Sequence, residues 1–144
     1  VCLPAVIAPA PVAHYARGPA FLPGASAPGE PADTRVWTFG PAEVVAHPNG
    51  RCSVRTNAGE ADDLRRVVAE VVAARPEGFV AVPAPAAAGR ERMAFCSDRT
   101  GRVFALAVTL PGAAAAPGPR FQATVLESVA QAGACARMAG PSRP

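Results

Sequence analysis

Apolar and polar positions fall into clear patterns from Arg35 onward. Arg35-Val36-Trp37-Thr38-Phe39 is rich in β-formers and stops at Gly40-Pro41. It predicts a short strand with Trp37 and Phe39 on one face as aromatic anchors of the core. The next two runs, Glu43–His47 and Arg51–Thr56, flank Pro48-Asn49-Gly50. Pro, Asn and Gly in that order suit a type I turn closed by a left-handed glycine. This three-residue loop sets Ala46 against Cys52 and Val44 against Val54. One face is then Val44, Ala46, Cys52 and Val54, and the other Val45, His47, Arg51, Ser53 and Arg55, a partition that fixes the register.

Helical periodicity is strongest over Glu60–Arg75. Leu64, Val67, Val68, Val71 and Val72 recur at i, i+3, i+4, i+7 and i+8. Glu60, Asp62 and Asp63 favour the first turn, Arg75 the last, and Pro76 ends the helix. An exposed Asp62–Arg66 pair is expected on its polar face. Gly78–Val82 reads as a short strand. Arg90–Asp98 and Arg102–Leu110 form a second hairpin around Arg99-Thr100-Gly101, with Cys96 facing Phe104 and Ala94 facing Leu106. Its opposite face carries Met93, Phe95, Val103, Ala105 and Ala107. With both faces apolar, this hairpin calls for cover on each side. Phe121, Val125, Val129 and Ala132, with Leu126, fall at helical spacing, although strand alternation fits part of the run. They predict a C-terminal helix within Arg120–Arg137, ended by Gly133.

Residues 1–34 carry seven prolines and only Arg17, Glu30 and Asp33 as charges. A short helix or turn near Leu3–Tyr15 and a looping stretch over Gly18–Pro31 are expected. Leu3, Val6, Ile7, Val12, Tyr15, Phe21 and Leu22 are too apolar to leave in water, so this Pro/Ala-rich arm is expected to pack on the body, tethered by Cys2. The resulting organisation is the arm (1–34), a single α+β domain (35–139) and a tail (140–144). The domain is an antiparallel sheet of about five strands, built from two hairpins and packed by a mid-chain and a C-terminal helix.

Composition changes this picture in two ways. The chain has 144 residues, of which 50% are hydrophobic, but 34 are Ala. Much of the Ala lies in the Pro-rich stretches around 84–88 and 113–116, so the core depends on periodic valines, leucines and a few aromatics. The chain is too short for a large multidomain enzyme, has no uninterrupted apolar run of membrane-spanning length, and lacks the profile of a disordered chain. All fourteen basic residues are Arg and the net charge is only +3. Scattered Arg without Lys reads as the trace of a GC-rich genome, so no nucleic-acid partner is expected. Arg51 and Arg55 on the first hairpin, with Arg90, Arg92 and Arg102 on the second, are candidate contacts for an anion. The plainer reading of the same arginines is that they blunt sheet edges and aid solubility.

Cys2, Cys52, Cys96 and Cys135 lie 50, 44 and 39 residues apart, with no CxxC pair. An even number of widely spaced cysteines predicts two structural disulfides and an oxidising compartment, periplasmic or secreted. Cys52 and Cys96 on inner hairpin faces point to a Cys52–Cys96 bridge, and the two terminal cysteines to Cys2–Cys135. The chain begins at Val1 rather than Met, and its first residues lack a basic n-region. They read as the start of a mature chain after removal of a signal peptide.

Candidate chemistry is sparse. His14 and His47 are the two histidines, and neither comes with a nucleophile and an orienting group in sequence. No nucleotide, zinc-protease or nucleophile-elbow motif occurs, and no metal or other cofactor is expected. Dispersed carboxylates such as Glu91, Asp98 and Glu127 leave a hydrolase pair open.

The spaced cysteines, the Cys52-x-Val54 strand before an acidic-start helix, and Ala74-Arg75-Pro76-Glu77-Gly78-Phe79 after it carry a resemblance. Over residues 35–137 the layout resembles a group of small exported proteins of GC-rich bacteria. It implies an exported stapled domain and brings no activity with it. Together these features point to a non-enzymatic, disulfide-stabilised exported interaction or inhibitor-type module. It would meet a protein partner or a second copy through the second face of the 90–110 hairpin. The alternative is a small carboxylate-dependent hydrolase or ligand-binding protein of the cell envelope.

Overall fold

A computed structural model describes residues 1–8, 10–84, 89–98, 101–111, 119–128 and 133–139. The chain opens with two short helices, α1 (Cys2–Ile7) and α2 (Val12–Tyr15). Strands β1 (Leu22–Gly24), β2 (Arg35–Phe39), β3 (Ala42–Ala46) and β4 (Cys52–Thr56) come next. After α3 (Ala61–Ala73) come β5 (Val80–Val82), β6 (Glu91–Ser97), β7 (Val103–Leu110), β8 (Phe121–Ser128) and α4 (Ala134–Ala139). All eight strands form one antiparallel sheet in the order β1-β2-β3-β4-β8-β7-β6-β5.

The class is α+β with two disulfides, as the sequence predicts, but the sheet has eight strands rather than about five. The main reason is the segment expected to be the C-terminal helix. Phe121–Ser128 is a strand lodged between β4 and β7. Its alternation of Phe121, Ala123 and Val125 against Gln122, Thr124 and Leu126 matches the two faces of the sheet, and that match outweighs the helical spacing of Phe121 and Val125. Val129 and Ala132 lie outside the described residues. Gly133, expected to end a helix, instead stands directly before α4. The three-residue strands β1 and β5 make the two edges. Pro23 lies within one and Pro83 comes just after the other, which blunts both edges against further pairing.

The first hairpin has the predicted register. Ala46 pairs Cys52, Val44 pairs Val54, and Gly50 takes a left-handed φ of 78°. The second hairpin is shifted by one residue: Cys96 pairs Ala105, Phe95 pairs Leu106 and Ser97 pairs Phe104. A loop with an even number of residues replaces the odd one expected, so the face assignment flips. Met93 and Phe95 share a face with Phe104, Leu106 and Val108. Ala94 and Cys96 share the other with Val103, Ala105 and Ala107.

Alternation along each strand gives the sheet two distinct faces. The helix face carries Val44, Cys52, Val54, Ala123, Val125, Leu106, Val108 and Phe95. Under α1 and α3 these residues form the main core, together with Phe104 and Leu110, both fully buried. Arg65 of α3 bonds Glu91 of β6, and the Ser97 hydroxyl donates to the Glu77 carbonyl at 2.6 Å just after α3. The expected Asp62–Arg66 pair does not form. Arg65 bonds Asp62, and Arg66 bonds Asp63 and Glu70, so the three- and four-residue spacings are shared differently.

The second face is covered in two places. At one side the segment from Ser26 to Thr34 crosses β3 and β4 as a strap. At the other, α4 packs near β5, and Cys96, Val103 and Cys135 form a small second core with Val82.

The disulfides obey the same division. Cys2 bonds Cys52 and Cys96 bonds Cys135, rather than the expected Cys52–Cys96 and Cys2–Cys135. Cys52 and Cys96 point to opposite faces, so they cannot meet. Each bridge fastens one terminal helix to one face.

Candidate functional site: the groove between α1 and α3

The stripe of α3 is wider than its burial. Val68 and Val72 are buried, while Val67 and Val71 on the same side of the stripe remain 46% and 44% exposed. Helix α1 lies on β4 and β8, held there by the Cys2–Cys52 bridge. It stops short of α3, and a groove of about 370 Å³ runs between them. Val67 and Val71 form one wall and Leu3 and Pro4 the other, over a floor of Val54 and Ala123. Arg75 at its border bonds Glu77 through two nitrogens at 2.9 and 2.7 Å and holds that carboxyl below its ordinary range. The groove is mainly apolar, with the Arg75 charge matched by Glu77 and the Val1 ammonium at its edge, and its volume is that of a small binding pocket.

The sequence-predicted anion contacts divide into three places. Arg51 and Arg102 line a cleft of about 800 Å³ at the end of the sheet beside α1 and α2. Arg102 there bonds Glu127 and donates to the Ile7 carbonyl at 2.9 Å, fastening the end of α1. Arg51 bonds the Asn49 side chain at 3.1 Å. Arg55 is half-buried between Glu30 at 2.6 Å and Glu43 at 2.5 Å and locks the strap to the sheet. Arg90 and Arg92 line a separate hollow on the strap face.

His47 has company that spacing alone does not reveal. Its Nε2 lies 3.3 Å from the Ser53 hydroxyl, which lies 2.8 Å from the Thr124 hydroxyl, which in turn accepts from Gln122 at 3.1 Å. Ser53 is only 1% exposed and shares its oxygen with Thr124. Burial, then the Arg51 guanidinium, push the His47 imidazole below its ordinary value, against the pull of Glu30. A hydroxyl sealed from solvent cannot reach a substrate. The chain ties the hairpin turn to β4 and β8.

No family model, no curated protein and no solved structure matches the chain. What it does must be read from its own geometry.

Sequence reasoning missed Val67 and Val71 as site residues because a helical stripe shows only which side faces the sheet, not how much of it the sheet covers. It missed Thr124 and Gln122 because they lay in an expected helix. His47 and Ser53 were already placed on one strand face by the hairpin register, which was signal enough to pair them.

Proposed function

We propose that this chain is an extracytoplasmic, non-enzymatic interaction module that receives an extended apolar segment of a partner protein in the groove between α1 and α3. The observation that carries this reading is the exposure of Val67 and Val71 along an otherwise apolar groove. Four residues apart on a helix, they stand about 6 Å apart along its axis. Alternate side chains of an extended peptide repeat at about 6.7 Å, so two such side chains match the two valines. At thirteen residues, α3 is about 20 Å long, enough wall for a short segment rather than a single side chain. Both disulfides are in place, which supports an oxidising compartment. No helix among the described residues is long and apolar enough to cross a membrane.

A displayed peptide library panned on the folded protein tests the proposal. The expected outcome is enrichment of peptides with apolar residues two positions apart, whose binding is lost in the Val67→Glu, Val71→Glu double variant. Peptides that bind this variant as well as the parent, or a selection without sequence preference, would overturn it.

A further inference from the structure

Helix α1 divides two cavities. Leu3 and Pro4 wall the groove against α3, while Ala5 and Val6 line the cleft of about 800 Å³ on the other side. A helix with open space behind it can shift, and its position sets the width of the groove. What holds α1 in place therefore decides what the groove admits.

Its two ends are held unequally. At the first, Cys2 is bonded covalently to Cys52, which is fully buried in β4. At the last, about 8 Å away, the Ile7 carbonyl has no helical donor, because the residue four positions on is Pro11. Arg102, just before β7, supplies the donor through Nη1 at 2.9 Å. The same guanidinium bonds Glu127 through Nε at 2.6 Å and through Nη2, and it lies 4.9 Å from the centre of the buried Phe104 ring. These contacts aim Nη1 at α1. The Arg102 and Glu127 side chains are nevertheless 36% and 45% exposed, so water competes for the pair and the hold is weak. Beyond Ile7, α2 buries none of its four residues completely and does little to fix that end.

We infer that α1 is a hinged wall, pinned at Cys2 and latched at Ile7 by Arg102, and that the latch limits the bulk of the apolar side chains the groove accepts. The limit on bulk rests on the groove being the peptide site; the hinge does not. When the latch opens, the Ile7 end moves toward the cleft, Pro4 follows by less than half as far, and the groove widens. Arg102 lies outside the groove and acts through α1, as a positioning residue.

Amide exchange of the free protein, together with binding of a matched peptide pair, is the test. The two peptides carry Val or Phe at one of two apolar positions spaced two apart. In Arg102→Gln, exchange at Ala8 and Ala10, whose N–H groups bond the Pro4 and Ala5 carbonyls, should quicken about tenfold with α3 unchanged, as for loss of one charge-assisted hydrogen bond. The same variant should move the ratio of Phe-peptide to Val-peptide affinity about tenfold toward Phe. Glu127→Gln, which keeps Arg102 over Phe104, should move both readouts the same way by less. Arg92→Gln, on the opposite face, should move neither. Unchanged exchange at Ala8, or exchange that rises equally in α3, would overturn the hinge. An unchanged affinity ratio, or an equal loss of both peptides, would overturn the control of bulk by the latch. A parent protein that binds neither peptide would remove the groove as the peptide site, and quickened exchange at Ala8 would still support the hinge.

Discussion

The two faces of the sheet are held by different forces. On the helix face, valines, leucines and phenylalanines from five strands close under α1 and α3, and burial of apolar surface does the work. On the strap face, the strap is held chiefly by one carboxylate. Glu30 accepts from the Ala27 backbone at 2.9 Å and from Arg55 at 2.6 Å, over the buried Val45 and Ser53. The helix face should therefore respond most to volume, with the acid-sensitive pairs Glu77–Arg75, Glu91–Arg65 and Glu127–Arg102 only at its border, and the strap most to the loss of Glu30. Each face also has its own disulfide.

The largest expected effect is on the helix face. Phe104→Ala removes a fully buried ring and should cost about 3–5 kcal/mol in urea unfolding. A loss under about 1 kcal/mol would mean that the helix face is not the main core. Next come the bridges. Replacing Cys2 and Cys52 together by Ala should cost about 4 kcal/mol from loop closure alone, and the Cys96–Cys135 pair nearly as much, since loop entropy varies slowly with length. The two variants should differ in where they loosen. Hydrogen exchange should rise in α1 for the first and in α4 for the second. Loosening of both helices in either variant would merge the two faces into one unit.

A smaller effect is expected at the strap. Glu30→Gln should cost about 2 kcal/mol, with faster amide exchange over 26–34 and little change in α3. Burial pushes the Glu30 carboxyl up, but the Ala27 N–H and the Arg55 guanidinium outweigh it, so its value in the folded protein is lowered. His47 is lowered as well. For both groups the unfolded chain takes up its proton first as pH falls, so stability present at neutral pH is lost on acidification. His47 acts from about pH 6.5 downward and Glu30 from about pH 4.5 downward. Protection factors over the strap, corrected for the intrinsic pH dependence of amide exchange, should therefore fall in acid, and Glu30→Gln should remove the lower part of that dependence. The smallest expected effect is in the groove. Val67→Glu with Val71→Glu should change stability by no more than about 0.5 kcal/mol each, because both residues are exposed and a longer side chain can reach water from either position. A larger loss would make these valines core residues and remove the groove.

The sequence made the first hairpin legible down to its register, because Pro48-Asn49-Gly50 dictates the loop and a slip would bring Ser53 and Arg55 onto the face of Val44 and Ala46. It made α3 legible within two residues at each end, because five apolar positions share one period. The second hairpin was less legible: apolar residues on both faces make a one-residue slip cost nothing in pattern. Strand β8 was hidden for the same reason, since Phe121 and Val125 satisfy both periods. The disulfide partners depended on those two features, because only the correct faces show that Cys52 and Cys96 point apart. The groove depends on how far α1 stands from α3, a tertiary distance with no local sequence signal.

The division of the two bridges between the two faces can be measured directly. Every cysteine lies between arginines or between the chain start and one, so trypsin acting on the unreduced protein separates them into peptides 1–17, 52–55, 93–99 and 121–137. Mass spectrometry should find 1–17 joined to 52–55 and 93–99 joined to 121–137. Peptide 52–55 joined to 93–99 would contradict the assignment of one bridge to each face.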